Sequence, residues 1–126
     1  MGKIKAVISS WVFWFVTIAY MRAVFYLSSR PATEMFVLPG NFDKALHFGV
    51  YAGLAFLIHI SMKKSSIKKN VFFISVSLAV IYGVANELYQ MRVPGRDASV
   101  ADVLANCLGA FLGGYSAGFI HTKKSV

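Results

Sequence analysis

Four apolar blocks, roughly Ala6–Tyr26, Phe42–Met62, Val71–Gln90 and Val100–Ile120, take up most of this 126-residue chain. A helix needs about 20 apolar residues to cross a hydrocarbon core of about 30 Å. Each block meets that length, and the four with their connections leave no stretch for a soluble domain. Hydrophobic residues make up 57% of the chain and charged residues 14%. Soluble domains carry about 45–50% and about 25% respectively. The reading is all-α: a polytopic membrane protein of four transmembrane helices (6–26, 42–62, 71–90, 100–120) in an antiparallel bundle, with residues 1–126 as one domain. The first block is expected to be retained rather than cleaved as a secretory signal. It is long for a signal core, and the bulky Phe25-Tyr26-Leu27 follows in place of a small-x-small cleavage site. Cys107 is the one cysteine, so an intrachain disulfide is excluded.

The net charge of +8 could suggest nucleic acid, but its placement does not. If alternate connections lie on opposite sides, one side holds Lys3, Lys5, Lys63, Lys64, Lys68, Lys69, Lys123 and Lys124 and no acid. The other side balances Arg22, Arg30, Lys44, Arg92 and Arg96 against Glu34, Asp43, Glu87, Asp97 and Asp102. The whole excess sits on one side, the positive-inside pattern. Both termini and the Lys63–Lys69 turn are therefore expected to be cytoplasmic, with residues 28–43 and 91–99 facing outward. The partners this implies are membrane lipids and not nucleic acid.

Local signals mark the helix ends. Arg30-Pro31 and Pro39-Gly40 break the first outer connection, and Asn41 is a candidate N-cap that puts Asp43 in the first turn of the second helix. Ser99 is a candidate N-cap for the fourth, with Asp102 three residues on. Trp11 and Trp14 suit an interface or a lipid-facing surface, and Arg22 could either snorkel or pair with an acid. Gly49 and Gly53 form a small-x-x-x-small pair. His59 lies near the cytoplasmic end of the second helix and is read as interfacial rather than as a ligand. Ala101, Ala105, Gly109, Gly113 and Ala117 recur every fourth residue, a ladder expected to be a close helix seam. Oligomerisation through such small-residue faces is the other use open to it.

Threading the chain this way brings distant polar groups to one depth. Asp43, Lys44, His47 and Tyr51 enter with the second helix, and Asp43, His47 and Tyr51 share one face. Asn86, Glu87 and Gln90 leave with the third. Arg92, Arg96 and Asp97 lie in the connection, and Asp102 and Asn106 enter with the fourth. Ionisable groups within spans face protein or water and mark function by default. His47 can exchange a proton near neutral pH. Glu87 or Asp43 could orient it or serve as base or nucleophile. Lys44, Arg92 and Arg96 could hold an anionic headgroup, arginine through its planar fork. A hard divalent cation could be placed among Asp43, Glu87 and Asp102. The structural alternative is an ion-paired network that closes the bundle and sets helix register.

The motifs Asp43-Lys44-x-x-His47-Phe48-x-x-Tyr51, Glu87-x-x-Gln90 and Val93-Pro94-Gly95-Arg96-x-x-Ser99-x-x-Asp102-Val103-x-Ala105-Asn106-x-x-Gly109 resemble the VanZ-like family of small bacterial integral membrane proteins. The third-helix motif of that family commonly reads Asp-Glu; here it is Asn86-Glu87. A mechanism needing two carboxylates at that point is not met, so no metal ligand is assigned and no cofactor is named. The resemblance implies a multi-pass protein of the bacterial cytoplasmic membrane and a link to teicoplanin resistance. Carried over residue by residue, it points to Asp43, Lys44, His47, Tyr51, Glu87, Gln90, Arg96, Asp102 and Asn106. His47, Glu87 and Asp43 are the candidate catalytic groups. Lys44, Tyr51, Gln90, Arg96, Asp102 and Asn106 are the candidate ligand-binding groups. Three functions compete: action on an envelope lipid or lipid-linked phosphate, non-catalytic binding of an amphipathic ligand, and a structural or assembly role in the cell envelope.

Overall fold

A computed structural model of the protein describes residues 2–30, 42–95 and 99–124, with side chains at all of these but Ala6 and 121–124. It contains four helices, α1 (Gly2–Ser28), α2 (Phe42–Lys64), α3 (Val71–Gln90) and α4 (Val100–Lys124), and all four are long and apolar enough to cross a membrane. Three run beyond the apolar blocks, α4 through to Lys124. α1 takes in its basic N-terminal tail, and α2 ends on Lys63 and Lys64, where cations complement the partial negative charge of a helix C-terminus. The turn to α3 is closed by Asn70 in the left-handed region (φ 56°), a conformation asparagine adopts more readily than most residues. At the start of α4 the Asp102 backbone N–H donates to Ser99 Oγ at 3.4 Å, as an N-cap serine should accept.

Neighbours in sequence run antiparallel, but the closest pair in space is α2 with α4, which run parallel. Phe48 and Ala52 of α2 lie against Gly109 and Gly113 of α4, in that order along both helices. A methyl group added to either glycine would land on the carbonyl oxygen of Phe48 or Ala52, so the backbones meet with no side chain between them. The ladder is therefore a seam inside the chain. Gly109, Gly113 and Ala117 are buried in it, whereas Ala101 is exposed at the end of the helix. α2 touches all three other helices, and α1 packs on its far side with only slight contact to α3.

α1 is mostly exposed apolar surface, as a lipid-facing helix should be. Trp11, Phe15 and Ile18 are among its large exposed side chains. Polar contacts hold it to α2. Trp14 Nε1 donates to Ser65 Oγ (2.7 Å), the Ser10 and Ser65 hydroxyls are 2.6 Å apart, and Thr17 and Ser61 hydroxyls are 2.8 Å apart. Further along, Tyr20 OH donates to the Val50 carbonyl (2.6 Å) and Tyr82 OH of α3 donates to that of Met21. Ser65→Ala removes both contacts at one end of this strip. It is expected to loosen α1 by about 1–2 kcal/mol, a typical value for two partly buried hydrogen bonds, read as faster proteolysis of α1 in detergent.

Three local expectations change. His59 is buried rather than exposed at an interface, with its ring beside Gly118 of α4; a Cβ there would sit 3.5 Å from His59 Nε2, in ordinary contact. Gly49 and Gly53 do not act as a pair: Gly53 lies under the Tyr20 ring, but no atom comes within 4 Å of a Cβ at Gly49. Arg22 is exposed on α1 and forms no ion pair with the buried acids among the described residues. Asn41, the proposed cap of α2, lies outside the described residues.

Candidate functional site

At the end of the bundle away from the Lys63–Lys69 turn, three helices each send a polar side chain to one point. His47 comes from α2, Glu87 from α3, and Asp102 and Asn106 from α4. The convergence follows from the α2–α4 seam. With Phe48 pressed onto Gly109, His47 lies one residue and Asn106 about one turn nearer the same end, and Gly83 of α3 admits Tyr51 and Asn106 against its backbone.

The imidazole is held in a defined way. Its Nδ1 lies 3.0 Å from Asn106 Oδ1. An amide oxygen only accepts, so Nδ1 donates to it and Nε2 is the ring nitrogen turned toward Asp102. Nε2 faces Asp102 Oδ2 at 3.8 Å, and Nδ1 faces Glu87 Oε1, also at 3.8 Å. Glu87 is 4% exposed and Asp102 8%. Two carboxylates buried this far inside a helix bundle carry a large desolvation cost unless hydrogen bonds and counter-charge offset it.

Lys44 supplies part of that counter-charge. Its Nζ lies 2.9 Å from Asp43 Oδ2 and 3.1 Å from Asp102 Oδ1. The second contact is an ion pair of poor hydrogen-bond geometry, since Asp102 Oδ1 makes no hydrogen bond. Lys44 is thereby committed to two acids, which makes it a weak site for a phosphate. Asp43 stands at the half-exposed rim with Lys44 as its hydrogen-bond partner, so Asn106, rather than Asp43, orients His47. Behind the cluster Asn86 Nδ2 donates to Tyr51 OH (2.8 Å), and Gln90 Nε2 reaches the Ser28 carbonyl of α1 at 3.4 Å. Arg92 is exposed on the turn after α3. Arg96 and Asp97 lie outside the described residues.

A cleft of ≈ 200 Å³ opens onto this cluster between α1, α2 and α3. Its floor is His47, Tyr51, Asn86, Glu87 and Gln90, and its walls are Val24, Leu27, Leu46 and Val50. Leu27 and Leu46 are exposed at its edge. The α1 walls were not singled out from the sequence, where Val24 and Leu27 are indistinguishable from the lipid-facing residues around them.

The VanZ/LLP1 family model matches residues 4–121, from the start of α1 to the last turns of α4. The chain belongs to the VanZ/LLP1 family. No curated protein and no solved structure matches it. Together with four helices able to span, family membership makes this a VanZ-like, multi-pass membrane protein whose helices contact lipid. The match takes in α1, which lies outside the three motifs that carry the resemblance, so the helix that walls the cleft is part of the family's unit.

Proposed function

We propose that this VanZ-like protein acts on an envelope lipid or lipid-linked phosphate at the outer leaflet of the bacterial cytoplasmic membrane, with His47 as the group that moves a proton. One observation carries the reading: the cleft joins apolar walls exposed at their edge to a polar floor of half-buried His47 and buried Tyr51, Asn86, Glu87 and Gln90. An amphipathic molecule needs both, an apolar slot for its chain and a polar end for its head. Asn106 supports the choice of His47 for proton transfer, because it holds the ring by Nδ1 and leaves Nε2 aimed at Asp102. The outward orientation is supported by the lysines gathered at the opposite end of the bundle. The binding reading shares the cleft but relies on cationic capture of the head, and Lys44 is already engaged by Asp43 and Asp102.

The test compares envelope lipids and lipid-linked intermediates by mass spectrometry in cells carrying wild type or Glu87→Gln at equal membrane levels. The expected outcome is a species made or consumed with wild type and not with the variant. Identical profiles would leave binding, including that behind a teicoplanin phenotype, as the reading to pursue.

A further inference from the structure

We infer that His47, Glu87 and Asp102 form a site for one first-row divalent ion of the Mn²⁺ or Zn²⁺ class, held between α2, α3 and α4. One donor atom from each of the three lies within 4.8 Å of the others. Three such atoms sit no further than about 2.8 Å from a common point, and a shift of under about 1 Å by each brings them to the roughly 2.0–2.2 Å of first-row metal–ligand bonds. Exposed acids often approach one another without an ion, but these donors are buried or half-buried and come from separate helices.

The second observation is the state of the imidazole. The Asn106 carbonyl fixes the proton on Nδ1, an outer-shell contact of the kind that orients metal-binding histidines. Nε2 and Asp102 Oδ2 face each other 3.8 Å apart, beyond hydrogen-bond reach, and a cation between them would bond to both. Charge points the same way. Asp43, Glu87 and Asp102 set three carboxyl groups against one lysine, Lys44.

The donor set selects the class of ion. One imidazole nitrogen with carboxylate oxygens suits Mn²⁺ or Zn²⁺ better than thiol-seeking Cu(I) or all-oxygen Ca²⁺. An ion on Nε2 takes the lone pair that the function proposed above gives to a base, so in the ion-bound protein His47 is a ligand and the charge of the ion serves that function instead; this one point rests on that reading. An anionic headgroup entering the cleft would meet the Glu87 carboxyl and no lysine or arginine, and a bound divalent ion would supply the charge to receive it. The sequence pattern placed a cation option on Asp43, Glu87 and Asp102; the fold puts His47 in the place of Asp43.

The test uses the full chain purified in detergent, treated with chelator and titrated with Mn²⁺ while free ion is read by electron paramagnetic resonance. Wild type is expected to take up one Mn²⁺ per chain, displaced by Zn²⁺. The bound spectrum should show coupling to one coordinated nitrogen. Glu87→Gln and Asp102→Asn, both near-isosteric, should each weaken uptake at least tenfold. No saturable uptake up to millimolar Mn²⁺, or bound Mn²⁺ without nitrogen coupling, overturns the site; so does wild-type uptake by both variants. The nitrogen signal needs no variant, so a misfolded mutant does not shield the inference. Uptake with an unchanged lipid profile keeps the ion and removes the lipid function, whereas a lipid conversion without uptake removes the ion alone.

Discussion

Gly113→Leu is expected to drive α4 away from α2 and to cost most of the bundle's stability. The reason is backbone contact. A Cβ at position 113 would overlap the Ala52 carbonyl, and a carbonyl in a helix cannot turn aside as a flexible side chain can. Overpacking a core by extra methylenes costs about 1–3 kcal/mol, occasionally more, and the larger values are expected where nothing can move out of the way. Gly113→Ala should already destabilise measurably. The readout is the thermal midpoint in detergent, with Gly49→Leu as the comparison, because a Cβ there meets no atom within 4 Å. Equal midpoints for Gly113→Leu and Gly49→Leu would mean that the α2–α4 seam does not hold the bundle together. Since the seam also sets His47 beside Asn106, Gly113→Leu should disturb the polar cluster about two and a half turns away.

The seam also shows what the sequence could and could not say. The ladder of small residues on α4 is legible because period-four spacing puts Gly109, Gly113 and Ala117 on one face. Which helix meets that face is not legible, because α2 and α3 both present plausible partners and helical periodicity does not choose between them. The choice of α2 makes the closest pair parallel, which alternation along the chain does not suggest. His59 was misjudged for the same reason. Its surroundings come from Gly118, 59 positions away, and not from its own helix.

The candidate site divides in the same way. That Lys44, His47, Glu87, Asp102 and Asn106 reach one depth follows from four spans and their order, and the structure brings these five together. Which of them touch depends on helix rotation. Asp43 is on the His47 face by spacing, but it sits at the half-exposed start of α2, where its adjacent lysine holds it. Asn106 was read as a ligand contact and instead fixes the imidazole, a role visible only once α4 is seen to lie on α2.

His47→Ala is expected to reduce conversion of the lipid species by a factor on the order of 10²–10⁴, the usual worth of a positioned general acid or base. Asn106→Leu separates positioning from proton transfer. It removes the acceptor that holds Nδ1 but leaves the ring, so its loss should be smaller than that of His47→Ala. Leu46→Trp tests the cleft alone. The indole would fill the wall beside His47 without touching the buried acids, which predicts weaker substrate use at low concentration and recovery at saturation. A purely structural cluster predicts another pattern. There, His47→Ala and Asn106→Leu would lower the thermal midpoint together and Leu46→Trp would change nothing. Loss of conversion by His47→Ala at an unchanged midpoint separates the two accounts, because an ion-paired network that only closes the bundle cannot lose a member without losing stability.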